Sequence, residues 1–336
     1  MTDGYRSLLR KGRLFILSFI VAFPTILIAD REVAEPRQVA FQAWLKALKK
    51  EAEVAGISPA TLEQAFHGVE PIPRVIELDR NQPELKLTLN QYLERVISKD
   101  RKAKGRRNYR ANRDLLNRVS RKYGVQARYL VAFWGIETDY GRLTGGYPVV
   151  AALATLAYDG RRSRFFRKEL LNALRIIDAG HVGASEMIGS WAGAMGQTQF
   201  MPSTFLSYAV DGDGDGRIDL WTNKEDIFSS AANFLAKLGW KDDQTWGREV
   251  ELPAGFDAGL ISRNIRKRIS DWSGLGVRRL GGGSLPGRDL QAALVRPDGH
   301  EGRVYMVYHN YHAILNWNRS DLFAIAVGTL SDAVVR

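Results

Sequence analysis

The sequence predicts a mainly α (α+β) protein, with helices through the first 240 residues and a smaller mixed α/β portion after them. Apolar residues in the first part recur at the three- and four-residue spacing of amphipathic helices. Two later runs, Arg248 to Leu252 and residues 303–308, have the composition of strands. With 336 residues, 45% hydrophobic and 25% charged, the chain is long enough for one large or two ordinary domains.

Residues 1–29 have the parts of an export signal. Basic residues precede an apolar run from Leu14 to about Ala29, which contains Pro24 and is short for a membrane-spanning helix. Leu27 makes a poor cleavage motif, so the segment is either removed or kept as an anchor. The chain has no cysteine, so neither a disulfide nor a lipid on an N-terminal cysteine is expected.

The chain is basic, with 48 Lys and Arg residues against 37 Asp and Glu and a net charge of +11. This charge suits an anionic partner such as nucleic acid, a membrane surface or an acidic cell-wall polymer. The densest basic run, residues 99–110, has Tyr109 as its only aromatic residue, whereas a nucleic-acid surface usually interleaves stacking residues with its charge. We interpret the run as a solvated helix face and expect no nucleic-acid partner.

Helical patterns continue from about residue 37 to residue 180. Arg37 to about Phe66 forms two helices separated at Gly56, and prolines end the pair. Four further helical patterns follow, and one of them contains Tyr92, which is either a core residue or one whose hydroxyl lines a groove. These patterns lie at residues 87–96, at 112–123, near 151–158 and around 165–177.

Residues 130–141 are LVAFWGIETDYG, and the apolar run of residues 130–136 within them ends at a carboxylate, Glu137. On a helix, Glu137 shares one face with Leu130, Phe133 and Trp134, which precede it by seven, four and three residues. Partial burial disfavours the charged form of a carboxyl and raises its pKa, which is a property of general acids. Taken alone, this stretch fits either a proton donor or a helix end that turns toward water.

Residues 189–205, GSWAGAMGQTQFMPSTF, combine small residues with hydroxyls and two glutamines. Gly193 and Gly196 would allow close approach of the backbone, and the polar side chains could hydrogen-bond a substrate. The same composition also suits a tight turn between packed helices that satisfies its own polar groups. The residues alone do not choose between these interpretations.

Residues 211–222, DGDGDGRIDLWT, match the first half of an EF-hand calcium loop. Aspartates occupy ligand positions 1, 3 and 5, Gly216 makes the turn at position 6, Arg217 offers its carbonyl at 7 and Asp219 stands at 9. The alternate aspartates repel one another, and a cation would relieve that repulsion. The pattern therefore favours a structural Ca²⁺ ion over an ion-free acidic turn.

Position 12 of this loop does not fit the calcium pattern. It is Thr222, which cannot supply a bidentate carboxylate, so Asp226 or Glu225 would have to complete the site. The predicted ligands are Asp211, Asp213, Asp215, Arg217 and Asp226.

The remainder of the chain has a mixed pattern. A helix is predicted from about Ile227 to Leu238, and a strand from Arg248 to Leu252. Ile261 to Trp272 has the pattern of a basic helix, residues 303–308 alternate like a strand, and a last helix runs from about Ser320 to Val335.

Five stretches resemble, in order and spacing, the lytic murein transglycosylase B family, whose members cleave peptidoglycan strands. They are GIETDYG, GSWAGAMGQTQFMPST, DGDGDGRIDLW, AANFLAKLGW and VYHNYHAILNWNRSDLFAIAVG. The resemblance implies a lysozyme-like helical catalytic domain with smaller flanking helical and mixed α/β portions. We expect an N-terminal helical portion at 37–110, a catalytic core at 111–246 that includes the calcium loop 211–226, and a C-terminal portion at 247–336 that completes the groove.

The resemblance also implies roles for individual residues. Glu137 falls on the family's catalytic glutamate, and Ser190 on a serine that hydrogen-bonds this glutamate. Gln199 falls on a glutamine that contacts the sugar, and Tyr92 matches a tyrosine at the glycan site.

Near the C-terminus the match is less complete. Asn318 matches an asparagine at the glycan site. Trp317, which stands where the family has a neighbouring tyrosine, is a further expected substrate contact, and Phe234 replaces another family tyrosine. Both replacements remove a hydroxyl. The calcium loop also matches, with Asp226 as its late ligand. No organic cofactor is implied. The implied partners are glycan strands, with other cell-wall enzymes as further candidates, in the periplasm.

The implied reaction uses one acid. Ordinary glycosidases need two carboxylates, about 5 Å apart for retention of configuration. Asp139 is the nearest candidate, but a residue two positions along a helix points about 200° away. In the family's scheme Glu137 protonates the glycosidic oxygen and then deprotonates the C6 hydroxyl, which gives a 1,6-anhydro sugar. The alternatives are a hydrolytic muramidase on the same scaffold and a non-catalytic, calcium-dependent peptidoglycan-binding protein.

Overall fold

The computed structural model describes residues 29–81, 87–300 and 302–335. The predicted export signal lies outside these ranges, apart from Ala29. Within the described ranges, no helix is both long and apolar enough to cross a membrane.

Helices make up most of the first 240 residues, as the sequence predicts. The predicted N-terminal pair is α1 (Ala29–Val54) and α2 (Pro59–Ala65), and the Ser58 hydroxyl caps α2 by accepting the Thr61 N–H. The later helices of this part are α3 (Pro73–Arg80), α4 (Leu89–Val96), α5 (Lys99–Ala111), α6 (Arg113–Tyr123), α7 (Ala127–Thr138), α8 (Val149–Asp159), α9 (Ser163–Asp178), α10 (Pro202–Tyr208) and α11 (Lys224–Lys237).

Helix α7, which carries Glu137, is buried along most of its length. Leu130, Phe133 and Trp134 are at most 5% exposed, and α5, α6 and α11 pack against the helix. A helix that is apolar on all sides belongs in a protein interior. Glu137 lies near the C-terminal end of α7 and is only partly buried. The helix therefore brings one carboxyl to the edge of the core, where it is still partly covered.

The basic run on α5 is not the solvated face that the sequence suggests. Helix α5 packs against α7. The packing around the buried Gly105 is so close that a Cβ added there would lie only 2.5 Å from Oη of Tyr140. Arg101 and Lys104 form ion pairs with the buried Asp139 at 3.4 and 3.2 Å. Part of the charge of this run therefore balances a buried carboxylate.

Two small antiparallel sheets complete the fold. Strands β1 (Tyr147–Pro148) and β2 (Ile188–Gly189) pair with each other. The strands after residue 246 are β3 (Gly247–Glu251), β4 (Lys267–Arg268), β5 (Arg278–Arg279), β6 (Gln291–Val295) and β7 (Val304–Val307), in the order β4-β6-β7-β3-β5. Ala293 and Val307 pack into the helical core, whereas Leu294 and Met306 pack with Trp272 in a second core. Both faces of the larger sheet are covered, so the four residues of β7 are all buried.

The prediction of one basic helix over residues 261–272 is wrong for most of its length. A 3-10 helix at Ala258–Leu260 leads into a turn in which the Ser262 hydroxyl accepts the Asn264 N–H. Strand β4 then pairs with β6, and only α12 (Ile269–Gly274) is helical. Pairing with a distant strand has overridden the local helical pattern.

The last two helices return to the helical core. They are α13 (His309–Trp317) and α14 (Asp321–Val334), and Ser320 caps α14 by accepting the Phe323 N–H. Helix α14 packs against α7. This packing places the end of α13 beside Glu137.

Candidate active site

A cleft of about 250 Å³ opens beside the C-terminal end of α7. Glu137 is the only carboxylate among the described residues that line it. The α7 helix, the segment of residues 194–204 and the end of α13 meet here, although they are far apart in the sequence. The other lining residues are Ala194, Gln199, Phe200, Met201, Thr204, Phe234, Asn316, Trp317 and Asn318.

Glu137 lies against an aromatic wall. Trp317 Nε1 donates a hydrogen bond to Glu137 Oε1 at 2.8 Å. Phe133, Phe200 and Phe234 hold the indole, with ring centroids 4.3, 5.1 and 4.9 Å away. Burial raises the pKa of Glu137 to about 8, although the Trp317 hydrogen bond acts in the opposite direction. The carboxyl therefore carries a proton at neutral pH, as a general acid must.

Asp139 is not a second carboxylate of the cleft. It ends α7 in the left-handed conformation, with φ +48°, and its side chain is 4% exposed. Burial alone would raise the pKa of Asp139, but the hydrogen bonds from Arg142 and Lys104 lower it below its usual value. Its oxygens are held in ion pairs, so it is not available as a partner for Glu137.

Gln199 lines the cleft in an unusual backbone conformation. Its φ is +51°, which costs a non-glycine residue on the order of 1 kcal/mol and persists only where neighbouring contacts enforce it. Its Nε2 donates to the carbonyls of Thr144 at 3.1 Å and Gly196 at 3.0 Å. Because both amide hydrogens are used, Oε1 is the atom that is left to meet a ligand.

The two predicted glycines of this segment allow close packing. Gly193 and Gly196 have φ of +88° and +67°. A Cβ at Gly193 would lie 2.4 Å from Leu153 Cδ2, and one at Gly196 would lie 2.7 Å from Leu220 Cβ. The prediction of close backbone approach is confirmed.

The acidic loop gathers Asp211, Asp213 and Asp226, with one oxygen of each within 4.8 Å of the others. Asp226 is fully buried, and its oxygens accept the N–H groups of Gly212 at 2.7 Å and Asp219 at 2.6 Å. Burial raises the pKa of Asp226, and the charges of Asp213 and Asp211 raise it further. Converging carboxylate oxygens are the ligands that Ca²⁺ prefers, so these residues fit a calcium ion.

The other predicted loop ligands have different contacts. Asp215 Oδ1 accepts the Arg217 N–H at 2.8 Å, and the Arg217 guanidinium donates to a carbonyl at 3.3 Å. Glu225 pairs with Arg118 at 3.1 Å. Asp226 and not Glu225 therefore joins the cluster, while ligand roles for Asp215 and Arg217 stay predictions.

A family model described as Transglycosylase SLT domain matches residues 40–332. The chain belongs to this family. Membrane-bound lytic murein transglycosylase B of Escherichia coli is 35% identical over 252 residues, a match that spans 73% of this chain and 66% of that protein. The chain thus spans about two thirds of the length of this relative.

Two solved structures of related proteins share the fold. SltB3 from Pseudomonas aeruginosa in complex with NAG-anhNAM-pentapeptide has a TM-score of 0.86 and 45% identity, covering 88% of this chain and 79% of that one. Escherichia coli Slt35 in complex with calcium has a TM-score of 0.74 and 30% identity, covering 89% and 93%. The predicted helix-rich, lysozyme-like fold is confirmed.

Ser190 does not form the hydrogen bond to Glu137 that the family resemblance implies. Its Oγ accepts the Ala194 N–H at 3.0 Å, and its own N–H donates to the Ala194 carbonyl at 2.7 Å. Ser190 therefore shapes the loop from which Ala194 reaches the cleft. A direct contact of Ser190 with substrate stays a prediction.

The two remaining predicted sugar-contacting residues are placed differently. Asn318 ends α13 and lines the cleft, and its Oδ1 accepts the Ser320 N–H at 3.0 Å. Tyr92 lies on α4, partly buried against the helical core, and is not among the residues that line the cleft. Its role at the glycan site stays a prediction.

The side chain of Gln197 forms a polar link that the sequence pattern did not predict. Its Oε1 accepts from Trp134 Nε1 at 2.7 Å, and its Nε2 donates to the Trp221 carbonyl at 2.6 Å. Its backbone carbonyl accepts the Thr138 hydroxyl at 3.0 Å, and its N–H donates to the Leu220 carbonyl at 2.7 Å. Gln197 thus joins α7 to the end of the acidic loop. Two glutamines in one polar segment gave no local signal that only one would face the cleft.

Proposed function

We propose that the protein is a peptidoglycan lytic transglycosylase in which Glu137 acts first as the acid and then as the base. This proposal rests on the absence of a second carboxylate beside Glu137 among the described residues of the cleft. Within the described residues it is the only carboxylate lining the cleft, and burial raises its pKa to about 8. The relatives support the reaction class, because SltB3 was solved with a ligand that contains an anhydro sugar.

In the proposed reaction, Glu137 protonates the oxygen of the β-1,4 bond between N-acetylmuramic acid and N-acetylglucosamine. The C1–oxygen bond breaks, and the substrate's own N-acetyl group stabilises C1. The C6 hydroxyl of the same muramic residue then attacks C1, while the Glu137 carboxylate takes its proton. The product is a 1,6-anhydro sugar, Glu137 regains its proton, and no water is consumed.

The raised pKa of Glu137 suits both proton transfers. A carboxyl that still holds its proton near pH 7 can act as an acid, and its carboxylate is a stronger base than an exposed glutamate. Gln199 and Asn318 line the same cleft, and in this proposal they hydrogen-bond sugar substituents. In this proposal Tyr92 and Ser190 contact the glycan strand beyond these walls.

We further propose that the acidic loop holds a structural Ca²⁺ ion through Asp211, Asp213 and Asp226. The ion would offset the repulsion of three converging carboxylates and hold the loop against α11. The related Slt35 was solved with calcium. The ion has no part in the proton transfers. The proposed substrate also implies that the protein acts in the periplasm, where glycan strands lie.

Digestion of purified peptidoglycan sacculi tests the function. We expect the wild-type protein to release muropeptides lighter by one water than hydrolysis products, and Glu137→Gln to release none. Glu63→Gln, at an exposed glutamate on α2, is the matched control and should digest normally. Products with free reducing ends would instead identify a muramidase. Binding of sacculi without any products from the wild type would indicate a non-catalytic wall-binding protein.

A further inference from the structure

We propose that Trp317 is a positioning residue that gives the two oxygens of Glu137 different roles. This inference rests on the proposed role of Glu137 as acid and base. Trp317 Nε1 donates to Oε1 at 2.8 Å. An indole N–H can only donate, whereas a protonated carboxyl has one carbonyl oxygen that accepts and one O–H that donates. The contact therefore selects Oε1 as the carbonyl oxygen and leaves the proton on Oε2.

The indole is held so that its N–H direction does not depend on the protonation of Glu137. Phe133 packs on it at 4.3 Å with an interplanar angle of 30°, Phe200 lies at 5.1 Å and 59°, and Phe234 at 4.9 Å and 69°. Rings on several sides restrict the rotation of the indole. Tryptophan suits this position because its apolar body and its polar N–H both have partners.

This arrangement keeps one oxygen for both proton transfers. Oε2 delivers the proton to the glycosidic oxygen, and the Trp317 hydrogen bond to Oε1 then becomes charge-assisted and stronger. The carboxylate does not need to rotate before Oε2 accepts the proton of the C6 hydroxyl. Trp317 itself neither gains nor loses a proton in either step.

The electrostatic surroundings make the effect of Trp317 measurable. No other titratable side chain lines the cleft within the described ranges, and Trp317 is the one hydrogen-bond donor that affects the pKa of Glu137. Several charged groups on α7 and the helices packed against it are held in ion pairs away from the cleft. Arg101 and Lys104 pair with Asp139 on one side, and Arg128 with Asp332 on another.

The test removes the N–H of Trp317 in two ways, of which only the second keeps the shape of the indole. The variants are Trp317→Phe and the protein with β-(3-benzothienyl)alanine at position 317, in which sulfur replaces the N–H group. The pKa of Glu137 is measured by ¹³C NMR on glutamate-labelled protein, with Glu137→Gln identifying the signal. We expect the analogue to raise the pKa by about one unit, which corresponds to about 1.4 kcal/mol, and to move the alkaline limb of kcat/KM equally.

Phe234→Leu is the matched control, because it removes a ring of the same cluster but no hydrogen-bond donor. It should leave the pKa of Glu137 unchanged or lower it through added hydration, opposite to the effect of the analogue. An unchanged or lowered pKa in the analogue protein, with only KM increased, would overturn the proposal and make Trp317 a sugar contact. The NMR titration needs no turnover, so it reports on Trp317 even if wild-type protein releases no anhydro product.

Discussion

Trp134 Nε1 donates a hydrogen bond of 2.7 Å to Oε1 of Gln197, and this bond joins the helix of Glu137 to the acidic loop. The same amide donates from Nε2 to the Trp221 carbonyl at 2.6 Å. Trp134 precedes Glu137 by three residues on α7, and Trp221 lies between the loop aspartates and α11. A single side chain therefore connects the position of the helix that carries Glu137 to that of the proposed calcium site.

Replacing this side chain by an apolar one should destabilise the protein and misplace Glu137. Gln197→Leu leaves the Trp134 N–H and the Trp221 carbonyl without their partners, and each such loss costs about 1 to 3 kcal/mol. We expect a loss of about 2 to 4 kcal/mol in the free energy of unfolding, measured by urea denaturation, and reduced sacculus digestion. Gln64→Leu, at an exposed glutamine on α2, is the control and should change stability by less than about 0.5 kcal/mol. Equal stability of the two variants would contradict the link.

Sequence patterns predicted the elements whose structure depends on interactions between residues close together in the chain. The spacing of Leu130, Phe133, Trp134 and Glu137 predicted α7, and the aspartate spacing predicted an acidic loop that gathers carboxylates. The α14 helix was predicted within one residue at each end, because Ser320 is an N-cap residue followed by an apolar helix. In each case the residues that decide the structure are near neighbours in the chain.

The contacts that complete the site depend on tertiary packing instead. Trp317 reaches Glu137 across 180 residues, and no local pattern indicates that pairing. The basic residues of α5 looked solvated because their counter-charge, Asp139, lies on another helix. Residues 261–272 have a helical pattern, but pairing of β4 with β6 determines their conformation.

Removing the charge of Asp139 should loosen the end of α7. Asp139→Asn keeps the left-handed backbone accessible, since asparagine tolerates positive φ. It removes the carboxylate partner of Arg101 and one of the two carboxylate partners of Lys104. We expect a loss of about 2 to 3 kcal/mol in the free energy of unfolding at pH 7, less than for a fully buried pair because Lys104 is 29% exposed.

The pH dependence of this contribution has a definite sign. The folded-state pKa of Asp139 is lowered from 3.8, so its stabilising effect is present above pH 3.8 and is lost as the pH falls through the folded-state pKa. Wild type and variant should therefore converge in strongly acidic urea titrations. The control Asp100→Asn removes a carboxylate that also pairs with Lys104 but is 68% exposed, and it should cost at most about 0.5 kcal/mol. A comparable loss for both variants would refute a special role for the buried carboxylate.

Calcium should stabilise the protein through the three gathered carboxylates. At a Ca²⁺ concentration 100 times the Kd, the gain is about 2.7 kcal/mol, and EDTA should remove it and lower the Tm by a few degrees. Asp213→Asn should abolish the calcium-dependent shift in Tm and the binding heat in calorimetry, whereas Asp242→Asn, at an exposed aspartate outside the loop, should change neither. A Tm insensitive to Ca²⁺ and EDTA in the wild type would rule out a stabilising ion at this site.

Glu137→Gln should stabilise the protein at neutral pH while it abolishes turnover. The folded-state pKa of Glu137 is about 8 against an ordinary 4.5, so between these values unfolding releases a proton and stability falls as the pH rises. The glutamine side chain of this variant stays neutral in both states, and its carbonyl can still accept the Trp317 N–H. We expect the variant to gain about 2 to 3 kcal/mol in urea denaturation at pH 7 and almost nothing at pH 4. Glu63→Gln should show no such dependence, and a variant less stable than wild type at pH 7 would mean that Glu137 is not held protonated.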